Sequence, residues 1–301
     1  MRIFLFIYFL LSNLVSDEIK VISYNVRYNN PNDGKDIWEN RRSTIVNFIK
    51  NENPDFLGLQ EVNHAQLLFL NSNLSNYSFV GVGRDDGKTK GEYSPIFYNN
   101  NLFDLIKSDT FWLSSTPDKI SVGWDASMER ICTYGLFKSK ANDKVIWVFN
   151  THFDHIGVEA RKNSAVLIIQ KIKEINTEMY PVILMGDFNM QENHESIQYI
   201  SKYLKDSKSV SELGPFGPSG TFNGFIFNEP VTERIDFIFV SSEIKVEKYD
   251  VLIDGIKSRK ILHSNGDLII EHGKKTSLES LEGFQKVKAF GHVYFSFFNF
   301  D

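Results

Sequence analysis

A carboxylate and a carboxamide stand two residues apart in the segment Gly186-Asp187-Phe188-Asn189, directly after the apolar run 180–185. In a strand, residues i and i+2 point to the same face. We therefore expect Asp187 and Asn189 to project into one pocket. There Asp187 would bind a metal or orient water, and Asn189 would hold a developing charge. The same four residues are also ordinary turn chemistry, so the segment alone leaves both interpretations open.

Four other apolar runs carry a polar side chain at or near one end. Each run is short and rich in β-branched or aromatic residues, which predicts a buried strand. The side chains that they carry belong to Asn25, Glu61, Asn150, His152 and Asp236. Because five such runs occur in one chain, we predict that strands of packed sheets converge on one polar site. Such a site can ligate a cation or move a proton.

Each of these residues also has a purely structural interpretation. Asn25 would cap a strand end, Glu61 would favour a helix N-terminus, and His152 would be a satisfied core histidine. Asp236 would form a surface ion pair with Arg234. Asp154 and His155 are interpreted as loop residues near the site rather than as a zinc pair. The single cysteine, Cys132, excludes cysteine-based zinc sites.

Five short motifs follow one another in unbroken order over residues 18–254: Ser23-Tyr24-Asn25, Leu59-Gln60-Glu61-Val62, Asn150-Thr151-His152, Gly186-Asp187-Phe188-Asn189 and Arg234-Ile235-Asp236. In this combination the sequence resembles the endonuclease/exonuclease/phosphatase superfamily, which includes the DNase I-like nucleases. The segments 83–87, 91–98 and 153–157 resemble a branch that is distantly similar to the deadenylase-type 3'-5' exonucleases.

The resemblance implies an α/β (α+β) fold of the DNase I type, a four-layer sandwich in which two packed β-sheets are flanked by helices. Apolar periodicity predicts helices over residues 37–51, 64–74, 157–178 and 196–203. Helices that alternate with strands favour layered α/β packing, although periodicity alone does not predict two sheets. Because the motifs are unbroken, we expect one domain over residues 17–301.

The resemblance also implies metal-assisted hydrolysis of a phosphate ester. Magnesium, or manganese, suits a site of carboxylates, carboxamides and water. By analogy Glu61 ligates the metal and Asn25 supports it. The implied catalytic residues are His152, Asp187, Asn189, Asp236 and His292.

Two further residues are implied to bind or orient the substrate. Arg130, just before a predicted strand at 131–137, is expected to contact the substrate phosphate. Glu92 is expected to hold His152 oriented and protonated. Asp236 is expected to do the same for a second histidine near the C-terminus.

The C-terminal motif departs from the family pattern. The family ends in a strand opened by Ser-Asp-His, whereas this chain has Gly291 before His292. The polar stretch 255–288 is also longer than expected. Three explanations stay open: a genuine surface insertion, a misassembled C-terminus, or a weakened or inactive relative.

The N-terminus predicts secretion. A basic start, the apolar run 3–11 and small residues before Asp17 predict a signal peptide over residues 1–16. The run is too short to span a membrane comfortably, so stable membrane insertion is not expected. A buried first strand or an uncleaved anchor is the alternative. Two sequons, at Asn73 and Asn76, predict a glycoprotein in the secretory-pathway lumen or outside the cell.

These observations predict a metal-dependent phosphodiesterase, with a 3'-5' exonuclease-like nuclease favoured and nucleic acid as substrate. The net charge of -5 gives no nucleic-acid footprint at chain level. A phospholipid or small phosphoester therefore stays an alternative substrate, and a non-catalytic binding protein is an alternative of another class. Trp124, Phe222 and Phe225 are candidate aromatic residues at the rim. A monomer is expected.

Overall fold

The computed structural model describes residues 18–225 and 230–252, together with the backbone of three strands between residues 267 and 299. The predicted signal peptide, Gly291 and His292 lie outside the described residues. The chain divides into two compact units. The first comprises residues 1–215 and 220–249, and the second comprises residues 216–219 and 250–301.

The strands are, in chain order, β1 (Val21–Asn25), β2 (Phe56–Gln60), β3 (Tyr77–Val80), β4 (Ile96–Asn99), β5 (Phe103–Trp112), β6 (Ile131–Ser139), β7 (Val145–His152), β8 (Val182–Asp187), β9 (Lys205–Asp206), β10 (Pro215–Phe216), β11 (Asp236–Val240), β12 (Tyr249–Asp250), β13 (Asp267–Gly273), β14 (Phe284–Phe290) and β15 (Val293–Asn299). The predicted strands before Asn25, Glu61 and Asp187 are confirmed.

The helices are α1 (Trp38–Glu52), α2 (His64–Asn73), α3 (Val158–Ile175), α4 (Glu195–Ile200) and α5 (Ser207–Val210). All four predicted helices are present, and α1 and α2 end within one residue of the prediction. The C-terminal end of α3 comes three residues early because Asn176 leaves the helical region and its N–H bonds back to Ile172. α2 begins with a capping box, in which Asn63 and Gln66 satisfy each other's backbone N–H groups.

The first unit contains two mixed sheets. The four-stranded sheet has the order β1-β2-β4-β3, with β1 and β2 parallel. The six-stranded sheet has the order β5-β6-β7-β8-β11-β9, with β7 and β8 parallel. In the second unit, β13, β15 and β14 form an antiparallel sheet in that order.

Three apolar clusters show that the first unit has four layers. One cluster joins the four-stranded sheet to α1 and α2. A second joins the six-stranded sheet to α3 and α4. The third lies between the two sheets, where residues such as Phe56, Phe137 and Met185 meet. Because each sheet buries both faces, the predicted four-layer sandwich is confirmed.

Strand alternation explains why the polar motif residues gather in the layer between the sheets. In β8, Ile183 and Met185 belong to the inter-sheet cluster, so Asp187 takes the next position on the same face. The same parity places Asn25 of β1, His152 of β7 and Asp236 of β11 on inward faces. The polar site therefore continues the inter-sheet core at one edge.

Asn150 connects the two sheets across this layer. Its side chain belongs to β7, and its Nδ2 donates to the carbonyl oxygens of Leu59 and Pro95, each at 2.8 Å. Its Oδ1 accepts from Nε2 of Gln60 at 2.7 Å. Asn150 and Gln60 are both completely buried. Two of these hydrogen bonds join β7 to β2, one residue before Glu61 and two residues before His152, and the third joins β7 to Pro95, immediately before β4.

Two glycines allow the close approach of these strands. A Cβ on Gly58 would lie 2.8 Å from the side chain of Asn150. Gly186 has a φ of +151°, and a Cβ there would lie 2.1 Å from the carbonyl oxygen of Thr151. A larger residue at Gly186 would therefore push β8 away from β7 immediately before Asp187.

Cys132 lies on the helix-facing side of β6, in the cluster with α3, and has no accessible surface. Burial in this apolar layer raises the pKa of its thiol far above the ordinary value. Among the described residues, none of the helices combines the length and the apolar character that crossing a membrane requires.

We predict that Asn150→Ala lowers the free energy of unfolding by roughly 2 to 4 kcal/mol, because it removes three buried hydrogen bonds between the sheets. Chemical denaturation followed by far-UV circular dichroism measures the change. Gln170→Ala is the control, since Gln170 is exposed on α3 and its loss is expected to change stability by less than about 0.5 kcal/mol. Equal effects of the two variants would contradict the assigned role of Asn150.

Candidate active site

Asn25 links two carboxylates of the predicted site. Its Nδ2 donates to Oε1 of Glu61 at 2.9 Å and to Oδ2 of Asp187 at 3.0 Å. Its Oδ1 accepts from the backbone N–H of Arg27 at 2.9 Å, which fixes the orientation of the amide. Asn25 thus holds Glu61 of one sheet beside Asp187 of the other, as a support for the metal ligand predicted at Glu61.

Glu61 is presented by a strained turn at the end of β2. Its φ of +59° is a left-handed conformation, which is uncommon for a residue other than glycine, asparagine or aspartate. The backbone N–H of Tyr28 donates to Oε2 of Glu61 at 3.1 Å. The carboxylate is thereby held between Asn25 and the loop that follows β1. Strain of this kind persists where the surroundings hold the residue in place, and it is frequent at functional sites.

Asp187 and Asn189 meet through a turn rather than through strand alternation. β8 ends at Asp187, and Asn189 lies beyond it with a φ of +51°. The backbone N–H of Asn189 donates to Oδ1 of Asp187 at 2.9 Å. The predicted common pocket is present, but both earlier interpretations of the segment contribute to it: the strand delivers Asp187 and the turn delivers Asn189.

His152 lies between Asn189 and Asp187 as a neutral imidazole. Nδ2 of Asn189 donates to the carbonyl oxygen of Phe153 at 2.9 Å and contacts Nε2 of His152 at 3.1 Å. Since this amide nitrogen is a donor, Nε2 of His152 accepts and carries no proton. Burial, and then the positive charges of Arg130 and Arg84, lower the pKa of His152 well below 6.5. The expectation of a protonated His152 is therefore wrong for the protein without substrate.

Asp187, which is buried, and Asp236, which is half-buried, form a pair of acids on neighbouring strands. They occupy partner positions in the β8–β11 ladder. Burial raises the pKa of Asp187 from 3.8 to about 6. Burial, and then the charge of Asp187, raise the pKa of Asp236 well above its ordinary range. The Oδ1 atom of Asp236 is buried and has no hydrogen-bond partner among the described residues. The predicted partner of Asp236, a C-terminal histidine, lies outside those residues.

The donor set fits a hard divalent cation. Glu61, Asp187 and Asp236 offer carboxylate oxygens. Oδ1 of Asp236 has no hydrogen-bond partner among the described residues, so its lone pairs are available to a cation. Within residues 18–225 and 230–252, no three His, Cys, Asp or Glu side chains are close enough together to form a metal cage. A small number of protein ligands is usual for magnesium, which keeps several of its waters.

Arg130 borders His152 and is held by a buried network. Its Nε donates to Oδ2 of Asp154 at 3.3 Å, and its Nη2 donates to Nδ1 of His155 at 3.0 Å. Asp154 also accepts from the hydroxyl of Ser127 at 2.7 Å. Burial opposes ionisation of Asp154, but these bonds and those from the backbone of Gly157 and Ile156 hold its pKa well below the usual range. The expected position of Arg130 immediately before β6 is confirmed.

The partner of Glu92 is Arg84 rather than the expected His152. Its Nη1 donates to Oε2 of Glu92 at 2.9 Å. The hydrogen bonds and ion pairs of the described residues contain none between Glu92 and His152, so the predicted pairing is corrected to Glu92 with Arg84. An arginine competes successfully for the carboxylate because its charge and fork geometry favour this pairing. Burial, partly offset by Arg84, raises the pKa of Glu92.

Sequence reasoning missed the roles of Arg84, Asp154 and Gln60. Arg84 carried a signal, because it belongs to the segment Gly83-Arg84-Asp85-Asp86-Gly87. Asp154 and Gln60 act by orienting Arg130 and Asn150, and no local spacing in the sequence predicts such contacts. Of the candidate rim aromatics, Trp124 and Phe225 are exposed, with 42% and 70% of their surface accessible.

The buried acids predict how the stability of the metal-free protein depends on pH. Because folding raises the pKa of Asp187 to about 6, its contribution is fully present below pH 3.8 and is lost as the pH rises through 6. Asp187→Asn is therefore expected to stabilise the chelator-treated protein at pH 7.5, by on the order of 2 kcal/mol, and much less at pH 4.5.

Denaturant unfolding at both pH values measures this difference. Asp118→Asn, at an exposed carboxylate, is the control. A stabilisation by Asp187→Asn that is the same at both pH values would contradict the raised pKa.

Known proteins share this architecture. Residues 22–259 match the model of the Endonuclease/Exonuclease/phosphatase family. A solved structure of a mannosyl-6-phosphatase from Bacteroides thetaiotaomicron is 41% identical, with a TM-score of 0.76, and the match covers 78% of this chain and 90% of that one.

Two relatives come from other sources. An uncharacterized protein of Acanthamoeba polyphaga mimivirus is 37% identical over 237 residues, which is 76% of this chain and 82% of the viral protein. A probable RNA exonuclease of Saccharomyces cerevisiae is 28% identical over 207 residues, which is 62% of this chain but 40% of the yeast protein. The fold, the order of the motifs and the match over residues 22–259 lead to one conclusion: this chain belongs to the endonuclease/exonuclease/phosphatase family.

Proposed function

We propose that this protein is a divalent-metal-dependent phosphoester hydrolase whose preferred substrate is the phosphate monoester of a small polar alcohol. The observation that carries the hydrolase assignment is the bridge from Asn25 to both Glu61 and Asp187, with His152 and Asn189 beside it. This arrangement argues against the alternative of a non-catalytic binding protein. That alternative rested on Gly291, which lies outside the described residues.

Glu61 is the proposed metal ligand, with Asp236 as the second carboxylate and Asn25 as the support that orients Glu61. Magnesium or manganese suits these oxygen donors. When bound, such an ion neutralises negative charge on the phosphoryl group and on the leaving oxygen.

Asp187 is the proposed general base. Its raised pKa, about 6, lies close to neutral pH, where a base combines ionisation with proton affinity. Its Oδ1 is held by the backbone of Asn189 and its Oδ2 by Asn25. The carboxylate would take a proton from the attacking water as the water oxygen bonds to phosphorus and the bond to the leaving alcohol breaks.

Asn189 and His152 are the proposed stabilisers of the phosphoryl oxygens. The amide of Asn189 is already a donor, directed at Nε2 of His152. An entering phosphate raises the pKa of His152, which opposes the effects of burial and of the two arginines. His152 then becomes a donor to the charge that develops on the phosphate.

The two arginines support a monoester substrate. Arg84 Nε and Arg130 Nη1 are buried without hydrogen-bond partners among the described residues. The guanidinium groups are close enough for Arg84 to lower the pKa of Arg130. A phosphate monoester carries a charge of about -1.5 to -2 at neutral pH, whereas a diester carries a single negative charge. The mannosyl-6-phosphatase is more similar to this chain than the yeast probable RNA exonuclease is, which also supports a monoester substrate.

A nuclease is the second candidate. The similarity to the yeast probable RNA exonuclease supports it. The exposed ring of Phe225, with the guanidinium carbon of Arg27 4.7 Å from its centroid, offers a surface on which a base could stack. Secretion and glycosylation remain predictions from residues 1–16, Asn73 and Asn76. A phospholipid substrate gains no support from the described residues.

Removal of metal or of Asp187 is expected to abolish turnover. We predict that p-nitrophenyl phosphate is hydrolysed with Mg²⁺ or Mn²⁺, and that EDTA or Asp187→Asn lowers the rate at least about 100-fold, because the base and the charge neutralisation are lost. A colorimetric assay measures the rate, and circular dichroism checks that the variant is folded. Asp118→Asn serves as the matched control. Full activity of a folded Asp187→Asn variant would contradict the proposed role of Asp187 as the general base.

Arg84 is expected to set the preference for monoesters over diesters. We predict that Arg84→Met lowers the ratio of kcat/KM for p-nitrophenyl phosphate to that for bis-p-nitrophenyl phosphate by about 10-fold or more, since a charge-assisted contact to the extra negative charge is lost. Arg84→Lys is expected to lose less. Lys162→Met, at an exposed cation of α3, is the charge control. If the wild type prefers the diester or RNA, the monoester proposal is contradicted and the nuclease assignment is favoured.

A further inference from the structure

A cavity of about 480 Å³ adjoins the proposed catalytic residues, and of its lining only Arg84 takes part in the steps above. Its lining includes Tyr28, Asn63, His64, Arg84, Thr89 and Glu92. This volume falls in the range of small-molecule sites, which is about 300 to 1,000 Å³. The lining comes from three segments: the loop after β1, the start of α2, and the loop between β3 and β4.

Two contacts connect the lining of the cavity to residues of the site. The backbone N–H of Tyr28, on one wall, donates to Oε2 of the proposed metal ligand Glu61 at 3.1 Å. On the opposite wall, Glu92 binds Arg84, whose charge acts on His152. A group attached to a phosphate at His152 and Asp187 therefore has this cavity beside it.

The wall formed by residues 83–92 is rigid although it is a loop. Asp86 accepts from the backbone N–H groups of Lys88 and Lys90, at 2.8 and 2.9 Å. The backbone of Arg84 bonds to Glu92 at 3.1 Å, and Trp112 donates its indole N–H to the carbonyl oxygen of Arg84 at 2.8 Å. Cross-links of this kind hold a recognition surface in place before a ligand arrives.

The opposite wall is fixed by Gln66 of α2. Its Nε2 donates to the carbonyl oxygen of Arg27 at 2.9 Å, and its Oε1 accepts from the backbone N–H of Asn29 at 3.2 Å. Tyr28, between these two residues, is thereby held at the rim with 38% of its surface exposed. The aromatic ring forms a fixed edge of the cavity.

The lining selects a polar, uncharged and hydroxyl-rich ligand. Arg84 forms an ion pair with Glu92, and Ala65 is the only aliphatic residue in the lining that the structure describes. His64 uses Nδ1 to contact the hydroxyl of Tyr93 at 2.9 Å, so the hydrogen bonds of the described residues leave its Nε2 available. The same holds for Oε1 of Glu92 and for the hydroxyl of Thr89. The lining thus offers both donors and acceptors together with the aromatic ring of Tyr28.

We propose that this cavity is the subsite for the leaving alcohol, and that the alcohol is a sugar. The inference rests on the proposed phosphomonoesterase and names its substrate class. The ring of Tyr28 packs against the apolar face of the sugar, while His64, Thr89 and Glu92 bond to its hydroxyl groups. A lipid chain finds no apolar wall here, and a nucleobase finds one ring rather than a stacking pair.

The test compares sugar and non-sugar monoesters in the full-length protein with Mg²⁺. Steady-state kinetics are measured with mannose 6-phosphate, glucose 6-phosphate and p-nitrophenyl phosphate for the wild type and for Tyr28→Ala, His64→Ala and Thr89→Val. We expect each variant to lower the ratio of kcat/KM for the sugar phosphates to that for p-nitrophenyl phosphate at least 10-fold, chiefly through KM. Asn71→Ala, exposed on the same helix α2, is the matched control.

An unchanged ratio in all three variants would overturn the subsite while leaving the hydrolase intact. A larger kcat/KM for RNA oligonucleotides than for both sugar phosphates would overturn the sugar assignment. If the wild type hydrolyses no phosphoester, the proposed function fails, and calorimetric titration of mannose 6-phosphate into Asp187→Asn then decides the subsite separately. Binding that is tighter than that of inorganic phosphate and lost in His64→Ala supports it, and absence of binding refutes it.

Discussion

The hydrogen bonds of Asn150 to β2 are the constraint on which the site depends. The two sheets touch mainly through apolar side chains, which attract one another without a preferred register. A completely buried amide with three partners has a single arrangement in which all of its groups are satisfied. It therefore fixes the position of β2 relative to β7. The catalytic geometry of Glu61 and His152 follows, since each lies within two residues of this connection.

The site divides into an acidic and a basic side. Glu61, Asp187 and Asp236 crowd negative charge at the ends of β2, β8 and β11, and the cost of burying these charges appears as raised pKa values for Asp187 and Asp236. Arg84 and Arg130 lie on the other side, and His152 lies in between. In the proposed reaction, a cation would relieve the repulsion among the acids, and a phosphate would relieve the repulsion between the arginines. The protein is thus arranged so that both ligands of the proposed reaction remove unfavourable interactions that folding has created.

The sequence was most informative where a polar or charged side chain interrupts a run of apolar residues. Runs such as 182–187 are apolar until a carboxylate interrupts them, so strand, face and site could be predicted together. The two sheets were predicted from the family resemblance, because periodicity describes one element at a time. Contacts between distant segments were the least predictable. The family resemblance pairs Glu92 with His152. In the folded chain Arg84 binds Glu92 instead, and the sequence does not predict this contact. The sequence left the turn at Asn189 as one of two interpretations, since strand and turn use the same residue types there.

The burial of Cys132 has a practical consequence. It is the only thiol in the chain, it has no accessible surface, and its raised pKa keeps it protonated. Maleimide and iodoacetamide reagents attack thiolates at the surface, so the native protein is effectively free of reactive cysteine. A single cysteine introduced at an exposed position such as Met179 would carry one fluorophore or spin label without prior replacement of Cys132. The same burial makes Cys132 a reporter of unfolding, because it becomes reactive only when β6 separates from α3.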